Sequence, residues 1–380
     1  MKIVHLCISC FYIDGRSYQE NELVRHHVQQ GHDVLVIAST ESHAADGRTV
    51  YLEPSRYLGG EGAPVIRLPY VSWLPQPIGR KLRLHPCVDR LLQDFAPDVI
   101  LFHGACGGEL LTVARYVEAH PHVRFFIDSH EDWNNSARTP ISRNLLHRLY
   151  YAPILRAALP RAEKLLCIST ETMDFVHDLY KVPRDRLEFY PLGGRPVPDG
   201  EYADRRVATR HALGLNADTI ALVQSGKQTK RKKLIESLAA FAQWKDPDAR
   251  LFVAGTLDDE IHDQAMAMIE ADDRVTFLGW QSVDDLTSLL CAADIYLQPG
   301  TQSATMQHAL CCRCAVILDD VPAHQVYHRD NGWLISEQQG LPALLEEIDR
   351  TSLASMQSRS HQIALDLLDY DRLSRRITAG

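Results

Sequence analysis

Two sets of short, β-rich apolar runs alternate with helical patterns along this chain, and that alternation constrains its fold more than any other feature. The first set is KIVHLC (2–7), DVLVIA (33–38), PVIRL (64–68), DVILFH (98–103), RFFID (124–128) and KLLCI (164–168). The second is IALVQS (220–225), RLFVAG (250–255), RVTFLG (274–279), DIYLQP (294–299), AVILD (315–319) and GWLIS (332–336). Helical patterns over 18–30, 83–94, 107–119, 141–159, 231–243, 258–270, 283–292 and 303–312 fill most gaps. Repeated strand–helix–strand order predicts parallel sheets with helices on both faces. Between the sets, YPLGGRPVPDGEYAD (190–204) is rich in Pro and Gly without an apolar period, which reads as a hinge. The expectation is an α/β chain of two doubly wound, Rossmann-like domains, 1–193 and 194–364, with a C-terminal helix at about 365–380 placed back against the first. A length of 380 residues suits two such cores. In sheets of this kind ligands bind at the carboxyl ends of strands, so the expected site is the cleft between the domains.

Composition narrows the function classes. There are 40 Lys and Arg against 49 Asp and Glu, a net charge of −9, so no general nucleic-acid binder is expected. No apolar run reaches the length of a spanning helix. The opening MKIVHLCIS reads as a first strand and not as a targeting segment. The nine cysteines sit mostly in apolar contexts, and a reducing cytoplasm is the expectation. Cys7 with Cys10, and Cys311, Cys312 and Cys314, read as small buried residues, so no metal is assigned. Asp319 and Asp320 read as a strand-end turn. Residues 143–164 mix Arg and Lys with Leu and Tyr; a core-facing helix with a solvated basic face is the main reading, a helix at a membrane interface the other.

Two strand-to-helix openings carry the chemistry. In IALVQSGKQTKRKKLIESLAAFAQ (220–243) a strand ends at Gly226, and Lys227, Lys230, Arg231, Lys232 and Lys233 run toward an amphipathic helix. A helix start carries partial positive charge and normally recruits acids, so this many cations there predict a bound anion. In IYLQPGTQSATMQHALCCRCAVILDD (295–320) a strand ends at Pro299–Gly300, and Thr301, Gln302 and Ser303 open a helix with Ser303 expected at the N-cap. The small residues Ser303, Ala304 and Thr305 leave backbone N–H groups open to a ligand oxygen. Two such openings in one domain suit an extended anion such as a diphosphate.

Taken in order, these pieces resemble the GT-B-fold retaining glycosyltransferases, the large family that includes bacterial mannosyl- and glucosyltransferases of cell-surface polysaccharide synthesis. QQGHDVLVIAS closes the opening strand, loop and helix; PDVILFHG looks like the next strand; DSHEDW matches a strand-end His; EFYPLGG resembles the hinge; SGKQTKRKKLIESLAAF resembles the donor-phosphate motif; and VTFLGWQSVDDLTSLLCAADIYLQPG matches the stretch from base loop to donor strand. The resemblance implies two Rossmann-like domains facing each other across a cleft, acceptor side first and nucleotide-sugar side second. It implies a hexosyltransferase using a nucleotide-diphosphate sugar, a glycan or lipid-linked acceptor, and no cofactor or metal. A cytoplasmic enzyme is implied, with peripheral contact at the inner face of the membrane. Residue by residue, Lys227 stands for the family's Arg, Lys232 for its phosphate Lys, and Lys233 for its Gly. His130 matches the histidine facing the donor sugar, Glu20 with Gly15 the acid and glycine of the first loop, and Gly226 the donor-loop glycine. Gly279 and Trp280 fall at the base loop. The paired glutamates are replaced, Gly300 at the first and His308 at the second, with Gln302 the nearest polar substitute for the first. His130, Lys227 and Lys232 are the expected catalytic residues, and Gln302, Ser303, Ala304, Thr305 and His308 complete the donor site. The rival readings are a catalytically silent GT-B subunit and a GT-B nucleotide-sugar epimerase.

Overall fold

Strand β1 (Lys2–Cys7) is buried from Ile3 to Cys7. A strand covered on both faces suits the interior of a parallel sheet, where its run is continuous and not alternating. The computed structural model describes residues 1–44, 48–336 and 339–379, so the last residue of the expected C-terminal helix, Gly380, lies outside it. The chain divides into two compact units, Met1–Pro191 with Tyr370–Gly380, and Leu192–Asp369.

In the first unit β1 is joined by β2 (Asp33–Ser39), β5 (Ser55–Leu58), β6 (Pro64–Leu68), β7 (Val99–Phe102), β8 (Arg124–Ser129), β9 (Lys164–Cys167) and β10 (Leu187–Phe189). The order is β10-β9-β8-β7-β1-β2-β6-β5, parallel throughout except β5 against β6. A separate antiparallel pair is formed by β3 (Glu41–His43) and β4 (Thr49–Tyr51). The second unit's strands are β11 (Ile220–Gln228), β12 (Ala249–Leu257), β13 (Val275–Gly279), β14 (Ile295–Gln298), β15 (Ala315–Asp319) and β16 (Gly332–Ile335). Their order is β13-β12-β11-β14-β15-β16, all parallel. Every expected run is a strand, and the fold class is the two-domain α/β one. In each sheet the strand order reverses beside a central strand, between β1 and β7 and between β11 and β14. Loops diverge at such a point and leave a crevice past the strand ends.

The helices needed more correction. The helix expected over 83–94 is two, Gln76–Leu82 and Val88–Phe95. Between them Arg83 and Cys87 are left-handed, with φ of 51° and 65°. Pro86 has no N–H to give and disfavours helical backbone at His85, so the helix cannot run through. The segment expected as one helix over 141–159 starts as widened i→i+5 turns, Ser142–Tyr151, before α-helix Ala152–Ala158. Pro153, which cannot donate a backbone hydrogen bond, stands where the pattern changes. The helix expected from 231 begins at Leu234, because Lys233 is left-handed at φ 52° and Lys230–Lys232 form a 3₁₀ turn.

Packing in the first unit brings the last helix home. Helix Tyr370–Thr378 lies against helix Gln19–Gln29, burying Tyr370, Leu373 and Ile377 with Leu23 and Val24. Each fully buried aliphatic side chain is worth about 1.5–3 kcal/mol. The Tyr190 hydroxyl donates to Leu373 O at 2.8 Å, and Gln30 Nε2 to Ser374 Oγ at 2.7 Å. In the second unit Gly255 lets β12 approach β11 closely: a Cβ there would sit 2.0 Å from Gly226 O. That contact sets the backbone path of the Gly226 loop.

Candidate functional site

The donor-type residues gather at the carboxyl ends of β11, β14 and β15. Lys232 Nζ donates to Thr301 O at 2.7 Å and Gln302 O at 3.1 Å, tying the loop after β11 to the loop after β14. An ammonium has three N–H donors, so one is left for a ligand. Burial, and then the Arg231 charge, push its pKa down to about 8. An anion beside it reverses that shift and gains from doing so. Lys227 differs: its side chain is 70% exposed and its Nζ lies 3.8 Å from Asp258, a surface pair worth about 0–1 kcal/mol.

The departures from the family pattern interlock. Gly300 adopts φ 87°, and a Cβ there would lie 2.0 Å from Arg231 O. No side chain, acidic or other, fits at this position without moving that backbone. Asp319 Oδ2 instead accepts from Gly300 N at 3.0 Å and from Lys233 Nζ at 2.5 Å. The lysine thus brings an ion pair to a left-handed position that glycine would occupy without steric cost. Asp319 is more than a turn residue. Its place at the end of β15 was readable in the sequence, but its partners, far off along the chain, were not.

Past β14 the hydroxyls serve one another. Tyr296 and Thr305 hydroxyls meet at 2.7 Å, Ser303 and Thr305 hydroxyls at 2.8 Å, and Ser303 Oγ donates to Gln298 Oε1 at 2.9 Å. Ser303 occupies the N-cap position of helix Ala304–Cys311, yet its side chain makes no cap bond. This corrects the expected capping role: Gln298 and Thr305 hold the hydroxyl instead. The first N–H groups of a helix have no intrahelical partner, so those of Ala304 and Thr305 remain for a ligand oxygen. Gln302 Nε2 donates to the Tyr327 hydroxyl at 3.2 Å. His308 is half-buried, with Nε2 3.0 Å from Thr287 Oγ1, and burial pushes it down to about 4, so it is a neutral imidazole. Nearby, Gly226, Lys227, Thr305 and Trp280 line a cavity of about 220 Å³. Trp280 is 73% exposed and follows Gly279, which turns the chain at φ 65°. An exposed indole at a cavity rim is a platform for a planar ring.

The first unit holds a feature the sequence reading did not find. His5, His27, His103 and Asp128 are each 0–1% exposed. They form one line: Asp128 Oδ2 to His103 Nδ1 at 2.5 Å, His103 Nε2 to His5 Nδ1 at 2.9 Å, and His5 Nε2 to His27 Nδ1 at 2.9 Å. His27 Nε2 then meets Ser374 O at 3.1 Å. Both ends of the line, a carboxylate and a carbonyl, only accept. Each of its four links needs a proton, while three neutral imidazoles carry three, so one ring is an imidazolium. The charge sits on His103. Burial opposes it, but Asp128 raises His103 to about 10. Burial also works against the Asp128 charge, yet His103 and His130 hold its carboxyl far below the ordinary range. His5 and His27 stay neutral, His27 pushed by burial to about 4.

Stability follows with a definite sign. His27, neutral in the fold and protonated when unfolded, removes stability as pH falls from its ordinary 6.5 toward 4. Between pH 7 and 5 its share is about 2 kcal/mol. His103 has the opposite sign: its share is full below 6.5 and is lost as pH rises through about 10. Urea unfolding at pH 7 and pH 5 should show the first loss, and the non-titrating variant His27→Gln should lose less. An equal drop in both proteins would contradict the assignment.

His130 follows β8 directly, with Nε2 3.8 Å from Asp128 Oδ2, an ion pair and not a hydrogen bond. Burial opposes its charge, but Asp128 raises it to about 9, so near neutral pH it is a cation and a donor. Glu20, 5% exposed, lies in the first turn of helix Gln19–Gln29. Gly15 turns the loop before it at φ 74°, its N–H 3.4 Å from Glu61 Oε1. The first unit thus carries His130, Glu20 and Gly15; the second carries Lys227, Lys232, Gly226, Gly279, Trp280, Gln302, Ser303, Ala304, Thr305 and His308.

Two doubly wound units with cationic, N–H-rich strand ends have the GT-B fold. Residues 18–193 match the glycosyl transferase 4-like domain, and residues 219–352 match the glycosyl transferases group 1 domain, so each unit belongs to a glycosyltransferase domain family. HepE (Alr3699) of Anabaena, solved with UDP, is 15% identical with a TM-score of 0.64 over 100% of this chain and 98% of that one. The sucrose-phosphate synthase of Thermosynechococcus elongatus is 16% identical with a TM-score of 0.63, covering 99% and 97%. WaaG, a glycosyltransferase involved in lipopolysaccharide biosynthesis, is 18% identical with a TM-score of 0.58 over 100% of both chains. No curated protein matches this chain in sequence.

Proposed function

We propose that this glycosyltransferase moves a hexosyl group from a nucleoside-diphosphate sugar to a glycan or lipid-linked acceptor, with retention of configuration, in surface-polysaccharide synthesis. The observation that carries the donor reading is Lys232: a partly buried ammonium anchored to two loop carbonyls, with one N–H to spare beside the start of helix Ala304–Cys311. Breaking the bond between sugar and diphosphate develops negative charge on the leaving group. Donors already aimed at that charge are often the largest contribution to catalysis. Lys232 and the N–H groups of Ala304 and Thr305 supply them, Lys227 adds long-range attraction, and Trp280 stacks the base. His308 and Gln302 hydrogen-bond the ribose and sugar. With lysines as counter-charges the reaction needs no metal and no cofactor. On the retaining route the donor phosphate takes the acceptor's proton on the front face, so no protein nucleophile is required. His130, as an imidazolium, acts on the sugar, with Glu20 and Gly15 shaping its loop.

The enzyme works in the cytoplasm at the inner face of the membrane. No described helix is long and apolar enough to cross a membrane. The support for peripheral contact is the ridge of Ile141, Leu145 and Leu149, which are 74%, 59% and 69% exposed.

A thermal-shift panel of UDP, GDP, CDP and ADP with their sugars tests the donor reading. HepE was solved with UDP, which makes uridine nucleotides the first to try. At a hundred times its Kd a ligand adds about 2.7 kcal/mol to stability. At least one nucleotide should raise the Tm of the wild type, and by clearly less that of Lys232→Ala. No shift with any of them would refute the donor site.

A further inference from the structure

We propose that the cavity of about 490 Å³ at the carboxyl edge of the first unit's sheet binds an anionic group, a phosphate or carboxylate, carried by the acceptor saccharide. The word acceptor rests on the function proposed above; the anion site stands on its own observations.

The first observation is position. The walls come from chain that follows β2, β6, β7 and β8, past the strand ends where ligands of doubly wound sheets sit. The second is charge. Arg80, Lys81, Arg83 and Arg138 line the cavity with only Glu41 and Glu131. Glu41 lies 3.6 Å from Arg83, and Glu131 takes the Ser129 hydroxyl and the His130 N–H. Both acids are thus engaged, while Arg80, Lys81 and Arg138 have no carboxylate partner among the described residues. The Arg80 guanidinium lies over the Tyr51 ring, 3.4 Å from its centre, with Nε buried and unpartnered. A stacked guanidinium keeps its planar fork set for two oxygens of a phosphate or carboxylate.

The third observation is the sequence of one wall. From Trp133 to Ala162 there is no Asp or Glu, while Arg138, Arg143, Arg148, Arg156 and Arg161 are present, in a chain of net charge −9. An acid-free basic segment in an acidic protein, folded onto a cavity, sets up a field that attracts anions. The fourth is conformation: Arg83 and Ala137 both line this cavity and both are left-handed, at φ 51° and 53°, which has a steric cost for any residue with a Cβ.

The anion has two possible carriers, the sugar itself or the diphosphate of a lipid link, and the test separates them. Calorimetry would compare glucose 6-phosphate, glucose, and polyprenyl-diphosphate-linked glucose in detergent micelles. Glucose 6-phosphate should bind at least about tenfold more tightly than glucose. The double variant Arg80→Gln/Arg138→Gln should weaken it by roughly 10- to 100-fold and leave UDP affinity unchanged. Lys81→Gln, at an exposed position, should weaken it in the same direction and guards against misfolding of the double variant. Lys227→Ala/Lys232→Ala should do the reverse, sparing glucose 6-phosphate. A lipid-linked sugar binding more tightly than glucose 6-phosphate, with the same arginine dependence, supports an anion in the link; equal binding supports one on the sugar. Equal binding of glucose and glucose 6-phosphate, or indifference to all three cationic positions, overturns the proposal. Failure of every nucleotide of the thermal-shift panel to bind, with arginine-dependent glucose 6-phosphate binding intact, overturns the donor reading alone.

Discussion

Replacing Lys232 by alanine should weaken nucleoside-diphosphate binding by roughly 10- to 100-fold, while Lys227→Ala should cost less than about tenfold. The two lysines look equivalent in sequence. In the fold Lys232 ties Thr301 O and Gln302 O, so its loss removes a ligand donor and also frees the loop that places the helix start. Lys227 reaches into solvent beside Asp258, and water screens most of its charge. Calorimetry with UDP on the two single variants measures the difference. Equal losses would mean that the loop anchorage is irrelevant to binding.

Replacing His130 by alanine should cut turnover by roughly 100- to 1,000-fold and change nucleotide affinity by less than about twofold. The reason is the division of labour proposed above: His130 belongs to the first unit, while the groups proposed to hold the phosphates, Lys232 and the start of helix Ala304–Cys311, belong to the second. Because Asp128 lifts His130 to about 9, wild-type kcat should fall as pH rises through about 9. Asp128→Asn removes the charge that stabilises the imidazolium, so the alkaline limb should move to lower pH. A limb that stays in place in Asp128→Asn would show that His130 is not the group titrating.

How much of this was legible beforehand depends on how local each signal is. The strands read well because a strand buried on both faces writes itself as an unbroken apolar run, as in IALVQS and AVILD. The edge strands β3, β4, β5 and β10 were missed because short, half-exposed segments such as TVY carry no such run. Helix ends were misplaced where one residue decides the backbone, Lys233 being left-handed and Pro86 breaking the expected helix. The cationic loop was visible as a run of lysines and arginine, but its unequal members were not. Which lysine finds carbonyls is settled by a loop about 70 residues further on. The histidine line was illegible for the same reason. Its members lie at positions 5, 27, 103 and 128 and close on Ser374, and only the pairing of β1, β7 and β8 with helices Gln19–Gln29 and Tyr370–Thr378 packed beside them brings them together. His5 alone gave a local hint: a titratable residue inside a fully buried strand must have partners.

The central claim, metal-free transfer with retention from a nucleotide sugar, is tested most directly by following one reaction in EDTA by proton NMR. The enzyme, a nucleotide sugar selected by the thermal-shift panel and a lipid-linked acceptor would be mixed, and the anomeric signal of the product read before it can mutarotate. The account predicts a product with the donor's anomeric configuration, formed at the same rate with and without EDTA. An inverted anomeric centre, or activity abolished by EDTA and restored by a divalent ion, would contradict it.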